Sequence, residues 1–199
     1  SPGVHEAGTH PNVIAAADLD GDGDVDLAAT TSRGIVLLRN EGAGEFGAAQ
    51  LLGEPQRTYR FAVADIDADG DLDLAATALS AEQMLLESIW IPRNEGKASF
   101  AGPESVAAGC QAETVAAGDF DADGDQDLSV VGGTTELVLL RNRGSGDFEP
   151  AGRFNAGAGP AALATGDLDD DGSLDMAVAN SKSNALKLLW GVGKPAAQK

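Results

Sequence analysis

The sequence predicts an all-β protein, a β-propeller of four-stranded blades with four repeats per chain. Two observations carry this prediction. The first is an acidic nine-residue pattern that occurs four times, beginning at Asp18, Asp65, Asp119 and Asp167. The second is that short apolar runs with strand character flank every copy. The first aspartates are 47, 54 and 48 residues apart, and a period near 50 is the size of one propeller blade. One domain, 1–199, is expected, with repeats around 12–53, 59–108, 113–157 and 161–190.

Within each repeat the elements follow in a fixed order. Before the acidic loop comes a run of small and apolar residues: Val13 to Ala17, Phe61 to Ala64, Thr114 to Gly118 and Ala162 to Gly166. After it comes a second: Val25 to Thr30, Leu72 to Thr77, Gln126 to Val131 and Leu174 to Ala179. All are too short for helices, so each loop is read as the connection of a β-hairpin. The small residues of the first run suit a crowded innermost strand. A third strand follows at Gly34 to Leu38, Ser88 to Ile91, Glu136 to Leu140 and Ala185 to Leu189. In three copies it leads into an Arg-Asn pair and a glycine turn, then a Phe: Arg39, Asn40 and Phe46; Arg93, Asn94 and Phe100; Arg141, Asn142 and Phe148. Each Phe is expected to pin the start of a fourth strand, and the Arg-Asn pairs are read as turn chemistry. The long interval in the second repeat is an insertion, 78–87, with a possible helical turn.

The last repeat stops after its third strand, where Trp190 and Gly191 replace the Arg-Asn turn. At the other end, Gly8 lies ten residues before Asp18, the offset that Gly109 and Gly157 keep before Asp119 and Asp167. Residues 1–11 are therefore expected to form an outer closing strand that completes the last blade, removing an open sheet edge. Three assemblies fit four repeats: a four-bladed ring, half of an eight-bladed homodimer, or a segment of a longer propeller.

The formal charge is −19, yet 20 of the 32 acidic residues lie in the four loops, five in each. The charge is localised, and one divalent cation per loop would bring −19 to −11. Few Lys and Arg argue against nucleic acid, which demands a basic stripe, and against anionic membranes. No apolar run is long enough to insert in a membrane, and no signal-peptide pattern stands at Ser1. Cys110 is the single cysteine, so no internal disulfide forms; it is read as a small, half-buried thiol. His5 and His10 have no credible partner and are read as surface residues.

Carboxylates on alternate residues with a glycine at position six provide the close-set oxygen ligands that a hard cation such as calcium needs. In the first loop, positions one, three and five are Asp18, Asp20 and Asp22, with the turn at Gly23. Position seven, Asp24, would offer its backbone carbonyl, and position nine, Asp26, could bind bidentately. An EF-hand shares positions one, three, five and six but requires a bidentate Glu at twelve. Ala29, Ala76, Val130 and Val178 stand there instead, and the flanks are strand-like.

With this loop pattern, Asp-x-Asp-x-Asp-Gly-x-x-Asp, the chain resembles the FG-GAP or VCBS repeats of integrin α-subunit-like β-propellers, over nearly its whole length. The resemblance implies Ca2+ in each hairpin loop, about four per chain, held by side chains at one, three, five and nine and a carbonyl at seven. Carried over, the second loop uses Asp65, Asp67, Asp69 and Asp73 with the Asp71 carbonyl. The third uses Asp119, Asp121, Asp123 and Asp127 with the Asp125 carbonyl; the fourth uses Asp167, Asp169, Asp171 and Asp175 with the Ser173 carbonyl. The family's propellers usually have seven blades, so four repeats depart from the pattern.

The expected function is a non-enzymatic, calcium-stabilised interaction or adhesion module, extracellular or at the cell surface, whose partner is an unidentified protein or glycan. A lectin is the alternative, since some propellers resembling this one bind sugars between blades; Trp90 and Trp190 are the candidates among nine aromatic residues. An enzyme such as a lyase or hydrolase is less favoured, because no Ser-His-Asp set, supported Cys-His pair or three-His cluster is present.

Overall fold

The runs of alternating small, β-branched and leucine side chains form strands throughout the computed structural model, which describes residues 3–52, 58–78, 87–101 and 104–191. Those residues contain fifteen strands and no helix. The first sheet comprises β1 (Ile14–Ala17), β2 (Asp26–Thr31), β3 (Gly34–Leu38) and β4 (Gln50–Leu51). The second comprises β5 (Thr58–Ala64), β6 (Asp73–Ala78), β7 (Ser88–Ile91) and β8 (Glu104–Ala107). The third is β9 (Ala112–Gly118), β10 (Asp127–Gly132), β11 (Glu136–Asn142) and β12 (Phe148–Asn155); the fourth is β13 (Pro160–Gly166), β14 (Asp175–Asn180) and β15 (Ala185–Leu189). Each sheet is an antiparallel meander in chain order. Each acidic loop joins its first two strands, so that Ala17 faces Asp26, Ala64 faces Asp73, Gly118 faces Asp127 and Gly166 faces Asp175.

Both faces of a meander can be apolar only if other layers cover them, and the buried residues show how the sheets stack. Leu19, Ile35 and Leu37 of the first sheet share a cluster with Phe61, Leu74 and Trp90 of the second. Ile66, Ile89 and Ile91 of the second pack on Val115, Val130 and Leu140 of the third. Leu137 and Phe120 of the third meet Met176 and Val178 of the fourth. Fully burying one such side chain stabilises by about 1.5–3 kcal/mol. No apolar cluster joins the first sheet to the fourth among the described residues. Four stacked three- and four-stranded sheets with inner strands of small residues are consistent with a propeller array.

The fourth strands vary most. Phe148 opens β12, but Phe46 and Phe100 make only isolated bridges, to Asn40 and Asn94, ahead of the short β4 and β8. At the end of β10 a bulge separates Val131 from Gly132, and a Cβ at Gly132 would lie 1.6 Å from the Gln111 carbonyl oxygen, so only glycine fits.

The expected closing strand is not made. Residues 3–11 form no strand, and they lie against the first sheet instead of the fourth. The Ser32 amide donates to the Thr9 carbonyl and the Asn12 amide to the Thr30 carbonyl, while Ala7 packs against the cluster of Ala29, Val36 and Leu38. The physical reason is proximity: the segment leads directly into β1, and the end of β2 satisfies its backbone groups. His5 stacks edge-on against Phe46, with ring centroids 5.4 Å apart. Among the described residues β15 pairs only with β14, so the fourth sheet has three strands. The insertion expected at 78–87 falls almost wholly outside the described residues.

Candidate metal sites in the hairpin loops

Each acidic loop is shaped by its own carboxylates before any ion is considered. The position-six glycine amide donates to the position-one carboxylate: Gly23 to Asp18, Gly70 to Asp65, Gly124 to Asp119 and Gly172 to Asp167, all between 2.9 and 3.1 Å. The position-seven amide donates to position five: Asp24 to Asp22, Asp71 to Asp69, Asp125 to Asp123 and Ser173 to Asp171. The chain can turn this tightly because position six has φ between 87° and 106° in all four copies, a region that favours glycine. Position four is also left-handed: Gly21 in the first loop, but Ala68, Ala122 and Asp170 at φ 60–61° in the others. A non-glycine residue held there costs on the order of 1–2 kcal/mol, which the surrounding loop must offset.

Position nine is the most deeply placed. Asp26, Asp73, Asp127 and Asp175 are all essentially inaccessible. One oxygen of each accepts from the position-two amide, of Leu19, Ile66, Phe120 and Leu168 respectively. The other accepts from an amide at or just past the end of the third strand, of Asn40, Asn94, Asn142 and Gly191. The residue predicted as a bidentate ligand is thus also a clip between the loop and the third strand. Burial pushes the Asp73 and Asp127 carboxyls up to about 6, against the lowering effect of these amides. Burial, followed by neighbouring carboxylates, also raises Asp20 and Asp169.

The loops bring carboxylate oxygens together within 4.8 Å of one another. In the second, third and fourth loops the set is positions one, three and nine: Asp65, Asp67 and Asp73; Asp119, Asp121 and Asp127; Asp167, Asp169 and Asp175. In the first it is Asp18, Asp20 and Asp22. Three close carboxylates at a tight turn are a donor set for a hard cation. Asp65 Oδ1 and Asp67 Oδ1 add a second indication, for both are buried without a hydrogen-bond partner among the described residues. A cation supplies what such orphaned oxygens lack. The loop clusters can therefore hold metal ions.

Of the remaining predicted residues, Asp69, Asp123 and Asp171 are taken up by the position-seven amides. The side chains of Asp24, Asp71 and Asp125 turn toward the following glycine turn: their Oδ2 atoms lie 3.3–3.6 Å from where a Cβ would stand on Gly42, Gly96 or Gly144. This is compatible with position seven contributing only its carbonyl.

The Arg-Asn pairs do more than turn chemistry. Asn94 Nδ2 donates to the Leu19 carbonyl of the preceding sheet at 2.7 Å, and Asn142 Nδ2 to the Ile66 carbonyl at 2.7 Å. Arg39 reaches the Ala98 carbonyl of the next sheet's turn, and Arg93 the Ser145 carbonyl. Arg93 also pairs with Asp67, and Arg141 with Asp121, so in two loops a cation already borders position three. Threefold recurrence of Arg-Asn was the available sequence signal; its reach across sheets was not readable locally.

Trp90 is in the core, whereas Trp190 is 56% exposed. Trp190 lines a cavity of about 370 Å³ between the third and fourth sheets, together with Phe120, Phe154 and Asp121. Burial pushes the Cys110 thiol up to about 11, so it stays protonated at neutral pH.

No curated protein matches this sequence. Among solved structures, a lectin from Agrocybe aegerita, described for specific recognition of non-reducing terminal N-acetylglucosamine, aligns with a TM-score of 0.61 at 21% identity, over 92% of this chain and 52% of the lectin. The Vibrio cholerae biofilm matrix protein Bap1 aligns with a TM-score of 0.53 at 20% identity, over 91% of this chain and 28% of that one. A Photorhabdus luminescens Tc holotoxin pore aligns with a TM-score of 0.55 at 20% identity, over 88% of this chain and 9% of that one. The chain spans about half or less of each of these structures, and the likeness is one of fold. The sequence model of the FG-GAP-like repeat matches residues 12–76 and 119–178, which take in all four acidic loops. With the matched segments covering most of the chain, this protein belongs to the FG-GAP-like repeat family.

Proposed function

We propose that this protein is a calcium-binding, non-catalytic interaction module that works outside the cell or at its surface, with calcium holding its hairpin loops closed. The observation that carries the reading is the convergence of three carboxylates in every loop, with buried, unpartnered oxygens on Asp65 and Asp67. The side chains at positions one, three, five and nine and the carbonyl at seven are the proposed ligands, from Asp18, Asp20, Asp22, Asp24 and Asp26 through to Ser173 and Asp175. Bound calcium would supply charge neutralisation and cross-linking of the loop. An extracellular setting suits ligand sets of this kind, because millimolar calcium is available there. Nucleic acid and membrane insertion are not part of this reading. Chelation is expected to lower the melting temperature strongly, with recovery by calcium exceeding recovery by magnesium, which prefers a smaller octahedral cage. A melting curve indifferent to chelator would overturn the structural-metal assignment.

A second reading, a glycan-binding module, is supported by the exposed Trp190 at the mouth of a cavity that also contains Phe120 and Phe154. Aromatic faces flanked by a carboxylate suit a sugar ring, whose apolar face stacks and whose hydroxyls donate to the carboxylate. The fold likeness to a lectin for terminal N-acetylglucosamine names the first sugar to try. Glycan-array binding that Trp190→Ala abolishes and Trp90→Phe leaves intact is the expected result; uniformly negative arrays would remove this reading.

A further inference from the structure

The four acidic loops carry equal negative charge but unequal positive company. Each has five carboxylates within its nine residues. Three sheets place an arginine at or just past the end of the third strand, and the fourth has Trp190 at that position. In the second sheet Arg93 Nη1 lies 3.2 Å from Asp67 Oδ2, at position three, and the two side chains are only 21% and 18% exposed. In the third, Arg141 Nη1 lies 3.4 Å from Asp121 Oδ2, a more open pair, 46% and 33% exposed. In the first, Arg39 makes no ion pair with the loop among the described residues, and its guanidinium donates to the Ala98 carbonyl instead. The fourth loop has no ion pair among the described residues.

These arginines are not what gathers the carboxylates. The fourth loop brings positions one, three and nine within the same 4.8 Å as the second and third loops, with no guanidinium beside it. What the arginine adds is charge. A guanidinium stays protonated, so a divalent cation entering next to it meets a fixed positive neighbour, and that repulsion grows as the surroundings become less polar. In the second loop the side chain is held in place: Arg93 Nη1 donates to the Ser145 carbonyl at 2.7 Å, and Nε and Nη2 donate to Glu104 Oε2 at 3.0 and 2.8 Å. A Cβ on Gly146 would lie 2.5 Å from Arg93 Nη2, so the turn of the third sheet closes over it. Glu104 offsets part of the charge, but it is 59% exposed and screened by solvent. Arg141 is held only by ion pairs, to Asp121 and Glu149.

We infer that these arginines set the order in which the loops take up calcium. The first and fourth loops fill first, the third next and the second last, with the fourth and second separated by about tenfold or more in calcium concentration. The ranking rests on the proposed calcium role and adds that the four sites are not equivalent. It follows from charge alone, because all four loops have the same number of carboxylates. The calcium concentration at which this protein is fully loaded is then fixed by its second loop. Arg93 and Arg141 act through Asp67 and Asp121 and touch no ion themselves.

The test is isothermal titration calorimetry of the full, metal-stripped chain with calcium chloride. Wild type should bind in separable tight and weak classes. Asp69→Asn should delete an equivalent from the weak class and Asp171→Asn one from the tight class, each keeping the oxygen that accepts from its position-seven amide. Arg93→Met should tighten the weakest site about tenfold, while Arg93→Lys, which keeps the charge, should stay within about threefold of wild type. Arg141→Gln should tighten the third site by a smaller factor. That variant removes only ion pairs at a half-exposed position, so it tests the charge even where Arg93→Met loosens the contact with Ser145. A purely structural arginine would leave calcium binding unchanged or weaker when removed; only a charge effect tightens it. Four equivalent sites, or Arg141→Gln binding no tighter than wild type, would overturn the ranking and leave the calcium role standing. A chain that binds no calcium would overturn both.

Discussion

At the scale of the residue, the aspartate at position nine shows how one side chain can serve fold and metal together. Asp73 accepts from Ile66 and Asn94 while remaining in reach of Asp65 and Asp67, because each carboxylate oxygen has two lone pairs. The alternate carboxylates and the glycine were legible in the sequence because they are local. The clip was not, since its second donor lies fourteen or more residues away. A pH dependence follows. Without metal, burial raises Asp73 and Asp127 from 3.8 to about 6, so their protonated forms favour folding. That contribution is complete below 3.8 and is lost as pH rises through about 6. Metal-stripped protein should therefore melt at lower temperature as pH climbs through this window. Calcium-loaded protein should do the opposite, because protons compete with the ion for the same oxygens. Scanning calorimetry in metal-free and calcium buffers checks both slopes; parallel slopes would remove the assignment of these carboxylates as ligands.

At the scale of the element, hairpins were readable from alternation and turn residues, and all four loops connect the strands expected of them. The fourth strands were harder, because Phe46 and Phe100 have the same sequence setting as Phe148 yet only Phe148 starts a continuous strand. Outer-strand length is decided by what covers the edge, which is a tertiary matter. The asparagine after the third strand is the corresponding case for contacts between sheets. Asn94→Ala removes donors to the Leu19 and Leu72 carbonyls and leaves the first of them buried without a partner. The expected loss is roughly 1–3 kcal/mol. Asn40→Ala should cost less, since its Nδ2 donates only to the Val25 carbonyl, an exposed position, and makes no bond to another sheet. Chemical denaturation of the two variants gives the comparison directly; equal losses would mean that the cross-sheet bond contributes nothing beyond turn chemistry.

At the scale of the whole molecule, the sequence made the number of repeats plain, but each repeat carries the same local information whether the array closes or not. Closure depends on how sheets are rotated from one to the next, and no periodicity encodes that. Residues 3–11 illustrate the point: their offset from Asp18 marks them as outer-strand material, yet they lie against the first sheet because it is the surface within reach. Charge, by contrast, is a whole-molecule property that composition states directly. The formal charge of −19 places most of its carboxylates in four small loops, so self-repulsion is concentrated where the hairpins turn. Added salt screens exposed charges over about 10 Å at 0.1 M ionic strength, a distance that spans a loop of this size. Metal-free protein should therefore gain melting temperature steadily as sodium chloride is raised. With calcium bound, part of each loop's charge is already neutralised and the same salt should change stability less. Melting series at increasing salt, with and without calcium, test this. Equal salt slopes in the two series would show that the loop carboxylates are not what limits the stability of the metal-free fold, and would locate the repulsion in the remaining acidic surface.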